Sequence, residues 1–340
     1  MHKIHQYAED VAAGRIVTGL PVRWACKRHL LDLQHGEKRG FYFDDSRAES
    51  FLEFARLQKH FKGPWAGQPF DPEPWQEFLL GCIFGWIRED GTRRFREAWI
   101  NTAKKQGKTF VEAIIALWML AFDGEQGAEV VSVATKAKQA RIAFDAARMM
   151  VTGNKDLHEF IRVFKTSLWS PGNDGRFTPL SRSQTGEDGP SISCAILDEI
   201  HEWPDGALWR ITRSGRIARP QPLLVAATTA GFNMYGFGKQ QYDLFRRIVD
   251  PNSGTDNDSA FVYIAEIDDG DDWRDESVWI KANPNLGVSV TLDQLREEFA
   301  TAEHSTADEN NFRVKHLNGW VAQAERWLSM AHWDDCVGAF

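Results

Sequence analysis

Apolar positions along this chain repeat with two periods, one typical of helices and the other typical of strands. Helical spacing predicts helices over residues 5–13, 22–33, 45–61, 75–87, 111–120 and 135–151. Short runs rich in apolar and β-branched residues predict strands at 95–100, 128–134, 192–197 and 222–231. Strands that alternate with helices in this way are typical of an α/β protein with a mainly parallel sheet flanked by helices. The first helices precede the sheet and predict an N-terminal helical extension over residues 1–62.

The segment Thr102-Ala103-Lys104-Lys105-Gln106-Gly107-Lys108-Thr109 joins a predicted buried strand to a predicted buried helix. A loop in that setting can bind phosphate, because its N–H groups and the positive end of the helix dipole face the anion. We expect Lys108 to reach the β- and γ-phosphates of a nucleotide and Thr109 to hold Mg²⁺. The consensus begins with Gly where this chain has Thr102, so the segment alone also fits a basic turn at a helix start.

A second motif follows the apolar run 192–197, which leads directly into Asp198 and Glu199. The carboxyl ends of parallel strands lie at the crevice where such sheets bind ligands. We expect Asp198 to share the Mg²⁺ with Thr109 and Glu199 to orient and polarise an attacking water. The structural alternative, in which Asp198 caps a helix and Glu199 is solvated, is disfavoured by the Gly-Lys-Thr loop upstream.

Two weaker signals accompany these motifs. Trp75 and Gln76 begin the helix that precedes the loop, where Gln76 would bond the adenine edge while Trp75 packs on the base. A helical Gln is also commonly just solvated. Thr228 and Thr229 end a predicted strand and would sense the γ-phosphate, although a strand end that closes into a turn fits them equally well.

The composition limits the classes of protein to which this chain can belong. The apolar fraction of 43% and the charged fraction of 26% are those of a soluble globular chain. Four widely separated cysteines without a Cys-x-x-Cys pair argue against zinc and disulfides. No apolar run is long enough to span a membrane, and the N-terminus lacks a signal-peptide core, so we expect a cytoplasmic protein. The net charge of −8 argues against general coating by nucleic acid, but the cluster between Arg93 and Lys108 is basic and suits phosphate.

With these residues assembled, the chain resembles the ATPase part of the large terminase subunit of tailed bacteriophages, the motor that packages DNA into a procapsid. The resemblance covers about residues 70–335. It rests on the motifs above and on Lys138-Gln139-Ala140, Ala227-Thr228-Thr229-Ala230-Gly231, Trp279-Ile280-Lys281-Ala282-Asn283-Pro284-Asn285-Leu286-Gly287 and Phe312-Arg313-Val314-Lys315-His316-Leu317-Asn318-Gly319-Trp320. The last two segments are more specific to this family than the loop is.

The resemblance implies a DNA-translocating ATPase that uses ATP and Mg²⁺. Its implied nucleotide-binding residues are Trp75, Gln76, Lys104, Lys105, Gln106, Gly107, Lys108 and Thr109. Thr228 and Thr229 would form the coupling motif, and Arg182 is our candidate for an arginine supplied to the neighbouring subunit, with Arg176, Arg213 and Arg216 as rivals. The implied partners are double-stranded DNA, a portal protein, a small terminase subunit and further copies in a homo-oligomeric ring in the host cytoplasm, without a membrane.

The resemblance also implies domain boundaries. Residues 63–234 would form the P-loop ATPase core, 235–330 a lid subdomain, and 331–340 the start of a linker. Large terminases normally continue into a nuclease domain of RNase H-like fold, whereas this sequence stops at Phe340, shortly after Asp334 and Asp335. We therefore predict that the nuclease domain is absent from this truncated or split chain and expect no endonuclease activity.

Two alternatives remain at this point. Asp198-Glu199-Ile200-His201 also spells a DExH helicase motif, but the residues after Gly231 show no second alternation of strands and helices. Without a second such domain, we expect His201 to serve in capping or packing rather than in a helicase motif. The other alternative is a P-loop scaffold that hydrolyses nothing, for which Thr102 is the best argument. Lys108, Thr109, Asp198 and Glu199 argue against it.

Overall fold

The structure is a computed structural model that describes residues 3–181 and 191–322. Its strands are β1 (Phe41–Phe43), β2 (Trp86–Arg88), β3 (Glu97–Asn101), β4 (Glu129–Ala134), β5 (Arg162–Val163), β6 (Leu168–Ser170), β7 (Gly175–Ser181), β8 (Cys194–Asp198), β9 (Leu223–Thr228) and β10 (Ala260–Ile264). Its α-helices are α1 (Lys3–Ala12), α2 (Leu20–His35), α3 (Asp45–Arg56), α4 (Pro74–Gly85), α5 (Lys108–Ala121), α6 (Ala137–Gly153), α7 (Ala207–Gly215), α8 (Phe237–Val249), α9 (Leu292–Ala302) and α10 (Thr306–Lys315).

Eight strands form one sheet in the order β10-β3-β9-β8-β4-β7-β6-β5. The pairs from β10 to β7 are parallel, and β6 and β5 add an antiparallel edge. Helices cover both faces, which is why β3, β8, β9 and β10 are apolar almost throughout. The predicted fold class, an α/β protein with a mainly parallel sheet flanked by helices, is confirmed.

The N-terminal helices pack on the same core as the sheet. In α1 the buried residues Ile4, Tyr7, Ala8 and Val11 follow helical spacing and turn one stripe inward. Asp44 caps α3 by accepting hydrogen bonds from the N–H groups of the first turn. Between α2 and α3 the chain forms β1, which pairs with β2 in a separate antiparallel ribbon, a feature that helical spacing did not predict.

The other face of the sheet is covered by α7 and α8, whose apolar residues pack on Trp99 and the strand residues around it. Beyond β10, an aromatic cluster of Trp273, Trp279, Phe299 and Phe312 holds α9 and α10 together. Both α8 and β10 fall within the range 235–330 predicted as a lid, and β10 pairs with β3 in the central sheet. The sheet therefore extends past the boundary predicted at residue 234.

Most predicted elements occur within a few residues of their expected bounds. The strand that leads into the loop at Thr102 begins at Glu97. The helix that follows this loop begins at Lys108, one turn before the apolar run that predicted it. Within the described parts of the chain, no helix is both long and apolar enough to traverse a bilayer.

Candidate functional site

The loop from Thr102 to Gly107 leaves the carboxyl end of β3 and enters the amino end of α5. Two of its residues have left-handed backbone conformations, Lys105 with φ 68° and Gly107 with φ 82°. Gly tolerates that region at no steric cost, whereas Lys105 is strained there. The loop thus curls back over the first turn of α5, where free N–H groups and the helix dipole favour an anion.

Thr102 stands where the consensus has Gly, and the geometry accommodates it. Its N–H donates to the Thr228 carbonyl at 3.3 Å, which continues the β3–β9 pairing by one residue. Its φ is not positive, so this position does not need Gly. The missing Gly therefore does not disturb the shape of the loop.

Lys108 folds its side chain over the loop. Its Nζ donates to the carbonyls of Thr102 at 2.9 Å and Ala103 at 2.8 Å, and lies 3.2 Å from Thr229 Oγ1. Removal from water lowers the pKa of Lys108 to about 8, although the negative charges of Glu199 and Asp198 act in the opposite direction. Lys108 is thus the cation at the centre of an acidic site.

The acidic pair ends β8. Because β9 lies between β3 and β8, Asp198 is separated from the loop strand by one strand. Burial and the charge of Glu199 raise the pKa of Asp198 to about 7, against the attraction of Lys108. Glu199 has a left-handed conformation, φ 51° and ψ 47°, which costs energy in a residue other than Gly and turns its side chain out of the strand direction.

His201 connects the acidic pair to the Thr-Thr strand end. Its Nδ1 lies 3.0 Å from Glu199 Oε2 and 3.1 Å from Thr228 Oγ1. Burial acts to raise the pKa of Glu199, but the hydrogen bond and charge of His201 outweigh it, so this pKa lies below its usual value. His201 therefore does more than cap or pack, and the sequence signal for it was its place two residues after Glu199.

Thr228 and Thr229 lie in the strand between the two motifs. Thr228 pairs with Asn101 in β3 and accepts a hydrogen bond from the N–H of His201 at 3.2 Å. Thr229 contacts Lys108, as described above. One threonine therefore faces the acidic side of the site, and the other faces the loop.

Glu112 is a site residue that sequence reasoning missed. It follows Lys108 by four residues and Thr109 by three, so it lies on the same face of α5 one turn further in. Only 1% of it is exposed, and burial together with the charge of Asp198 raises its pKa well above the usual range. The spacing from Thr109 was readable in the sequence, but burial of the carboxyl was not.

Trp75 and Gln76 approach the loop from α4. Gln76 is buried, and its Oε1 accepts a hydrogen bond from the Glu73 N–H at 2.9 Å in a capping box. Its Nε2 lies 3.4 Å from where a Cβ on Gly107 would be. Trp75 stacks on Tyr263, with ring centroids 5.5 Å apart, and is only 3% exposed. Gln76 thus borders the loop, and Trp75 lies in the core beneath it.

The remaining loop residues are held by the C-terminal segments. Gln106 donates to Asn283 Oδ1 at 2.9 Å and accepts from the Asn285 N–H at 2.9 Å. The N–H of Lys104 donates to the Lys315 carbonyl, and Ser289 Oγ donates to the Lys105 carbonyl. The segments around Asn283 and Lys315, both of which carry the family resemblance, therefore bind the loop directly.

The side chain of Thr109 is partly exposed at the first turn of α5. Arg182 lies outside the residues that the structure describes. Its rivals Arg213 and Arg216 both pair with Glu97, at the amino end of β3 and so at the opposite end of that strand from the loop.

Taken together, the site joins a lysine-bearing strand–loop–helix to an acidic strand end on a parallel sheet, which defines the P-loop class of α/β proteins. A family model for the ATPase domain of the terminase large subunit matches residues 74–247. The chain belongs to the terminase large subunit family.

Two curated proteins are similar to this chain, and one of them is itself a large terminase subunit. The chain is 38% identical to protein YmfN of Escherichia coli strain K12 over 48% of its own length and 35% of that protein. It is 25% identical to the large terminase subunit of Enterobacteria phage HK97 over 81% of its length and 53% of that protein. The chain thus spans between about a third and about half of the relatives it matches.

A solved structure shares the fold. The crystal structure of the HK97 bacteriophage large terminase aligns with 86% of this chain and 59% of its own, with a TM-score of 0.69 and 24% sequence identity.

The prediction that the nuclease domain is absent is wrong. A second family model, for the endonuclease domain of the terminase large subunit, matches residues 254–339. This match also removes the reason for expecting no endonuclease activity. The sequence predicts the start of that domain after residue 330, because the preceding segments resemble the ATPase part. The strand β10 does lie in the central sheet, although it falls inside the nuclease match. Sequence similarity and sheet membership thus divide the chain at different points.

Proposed function

We propose that this chain binds ATP with Mg²⁺ at the loop and hydrolyses it to drive the movement of double-stranded DNA. The observation that carries the proposal is the convergence of Lys108, Asp198 and Glu199 at one end of the sheet, in a chain of the terminase large subunit family. A lysine and two carboxylates of different pKa at a helix amino end suit phosphoryl transfer to water.

Each residue has a role in the proposed reaction. Lys108 exchanges its loop carbonyls for the β- and γ-phosphate oxygens, and the N–H groups of Lys105, Gln106 and Gly107 surround the phosphates. Lys104 contributes the charge of its side chain, because its N–H is bonded to the Lys315 carbonyl. Gln76 reads the adenine edge, with Trp75 packing nearby. Glu199, oriented by His201 and kept ionised, polarises the attacking water.

The donor set at the site also fits Mg²⁺. Thr109 and Asp198 supply a hydroxyl and a carboxylate, and Mg²⁺ usually takes one or two carboxylates together with phosphate oxygens and several waters. In the described ranges, no three His, Cys, Asp or Glu side chains converge into a complete metal cage. Bound there, the ion supplies charge neutralisation at the phosphates.

Coupling and assembly complete the proposal. Thr229 contacts Lys108 and Thr228 contacts His201, so these threonines report the state of the phosphates to β9. In the proposed homo-oligomeric ring, Arg182 of one subunit completes the site of its neighbour. The ring works in the host cytoplasm with a portal protein and a small terminase subunit as partners.

ATP hydrolysis measured at increasing protein concentration tests the proposal. We expect turnover per chain to rise with concentration and to be lost in Glu199→Ala, while Glu297→Ala, at an exposed position of α9, keeps wild-type turnover. Concentration-independent turnover would remove the role of Arg182 in the neighbouring site. No hydrolysis by the wild type at any concentration would favour a non-hydrolysing scaffold.

A further inference from the structure

Glu112 is a buried carboxyl group without a hydrogen-bond partner. Only 1% of the residue is exposed, and neither Oε1 nor Oε2 has a donor within reach among the described residues. Burying a polar group in this way costs free energy that an apolar residue would avoid. Its neighbours on α5, such as Val111 and Ile115, are apolar and buried, so a leucine would suit this position better in the isolated chain.

The Lys108 ammonium does not donate a hydrogen bond to Glu112. Although Lys108 lies one turn earlier on the same face of α5, its ammonium donates to the carbonyls of Thr102 and Ala103. The other charged groups that act on Glu112 are Asp198 and Glu199, which repel a carboxylate. Among the residues that the structure describes, the charged groups that act on Glu112 are thus two acids and one lysine whose ammonium is bonded to the loop carbonyls.

The position of Glu112 relative to the proposed cation ligands explains why an acid is present. Thr109 precedes it by three residues on one helix, and α5 packs against β8, whose last residue is Asp198. Outer ligands of this kind hold the waters of a metal shell and orient its inner ligands. Mg²⁺ keeps several waters and so needs acceptors beyond its direct ligands.

We propose that Glu112 is a positioning residue for the cation, accepting hydrogen bonds from Mg²⁺-bound water beside Thr109 and Asp198. This inference rests on the proposed function and adds a third acidic group to its site. The unpartnered carboxyl group destabilises the folded chain when no cation is bound, and its hydrogen bonds to the bound cation's water offset that destabilisation. Stability of the free chain and affinity for Mg²⁺ therefore oppose each other at this residue.

The test measures thermal unfolding of the full chain with saturating ADP while Mg²⁺ is titrated from an EDTA-buffered start. The Mg²⁺ midpoint is the Mg²⁺ concentration that gives half of the full rise in melting temperature. In Glu112→Gln and Glu112→Leu we expect this midpoint to rise about tenfold or more, as for other residues that hold the outer shell of a metal. ADP affinity in EDTA should stay at the wild-type value. Without nucleotide, Glu112→Leu should melt about 2–4 °C above the wild type.

Glu97→Gln is the matched control, because Glu97 is a buried carboxylate at the far end of β3 that pairs with Arg213 and Arg216. We expect it to lower the melting temperature and leave the Mg²⁺ midpoint unchanged. An unchanged midpoint in both Glu112 variants overturns the inference, as does an equal loss of ADP affinity in EDTA. If the wild type shows no shift with ADP and Mg²⁺, the proposed function fails and the inference falls with it.

Discussion

At the scale of single residues, the site is held by contacts between segments that lie far apart in the sequence. Asn285 is the best example, because it joins three of them. Its Oδ1 accepts from Trp75 Nε1 at 2.5 Å, and its N–H donates to Gln106 Oε1 at 2.9 Å. One side chain and its own backbone thus tie α4 and the loop to the C-terminal half of the chain.

We predict that Asn285→Ala destabilises the protein by about 1–3 kcal/mol, because it leaves the buried Trp75 N–H without an acceptor. Nucleotide affinity should fall as well, since the Gln106 carbonyl loses the hydrogen bond that it accepts from Asn285 Nδ2 at 3.3 Å. Urea unfolding and binding of a fluorescent ATP analogue measure the two effects. Asn252→Ala, in an exposed turn, serves as the control and should change neither quantity. Wild-type stability in Asn285→Ala would contradict this account of the loop.

At the scale of elements, the helices α1, α2 and α4 meet around one buried histidine. His29 of α2 accepts a hydrogen bond from Trp86 Nε1 at 3.0 Å through Nδ1, and its Nε2 lies 2.9 Å from His5 Nδ1. The Trp86 bond requires an unprotonated Nδ1. Burial, followed by the charges of His5 and Arg94, lowers the pKa of His29 to about 3.

This histidine gives the helical region a predictable pH dependence. Between pH 6.5 and about 3 the unfolded chain binds a proton at His29 that the folded chain does not, so stability falls as the pH falls. We expect the wild type to lose up to about 1.4 kcal/mol per pH unit more than His29→Gln below pH 6.5. Urea unfolding of both proteins from pH 7.5 to 4.5 measures the difference. Parallel pH profiles would show that His29 titrates normally.

At the scale of the whole molecule, the ATPase and nuclease family matches meet near residue 250, but the sheet does not end there. The five residues of β10 are all buried, and each pairs with a residue of β3. The loop is also held by Asn283 and Lys315, both inside the nuclease match. The region from 254 onward thus completes the core that positions the proposed nucleotide site.

We therefore predict that a chain ending at residue 253 does not fold cooperatively. Loss of β10 would expose the edge of β3 and remove part of the apolar core that it covers. A chain ending at residue 322, which keeps every described element, is the matched control and should unfold in one transition. Circular dichroism during heating compares the two. A cooperative transition of the shorter chain at the wild-type temperature would contradict the prediction.

The sequence predicted the parallel sheet and the place of each motif on it, because apolar periodicity is local and the ends of parallel strands share one edge. The strand 192–197 and the acidic pair after it could be recognised in this way, as could Lys108. Roles for Trp75, Gln76 and the threonines came from position and resemblance, and the structure adds their contacts to those predictions.

The tertiary structure alone determined which buried polar side chains have hydrogen-bond partners. Three features depend on contacts between segments that are up to about two hundred residues apart in the sequence. They are the burial of Glu112, the contact of His201 with Thr228, and the hydrogen bonds of Asn285 to Trp75 and to the loop. The same holds for β10, whose sequence looks like any buried strand and whose partner β3 lies far upstream. Local patterns determine elements, whereas long-range packing determines the dielectric surroundings and hydrogen-bond partners that give each group its chemistry.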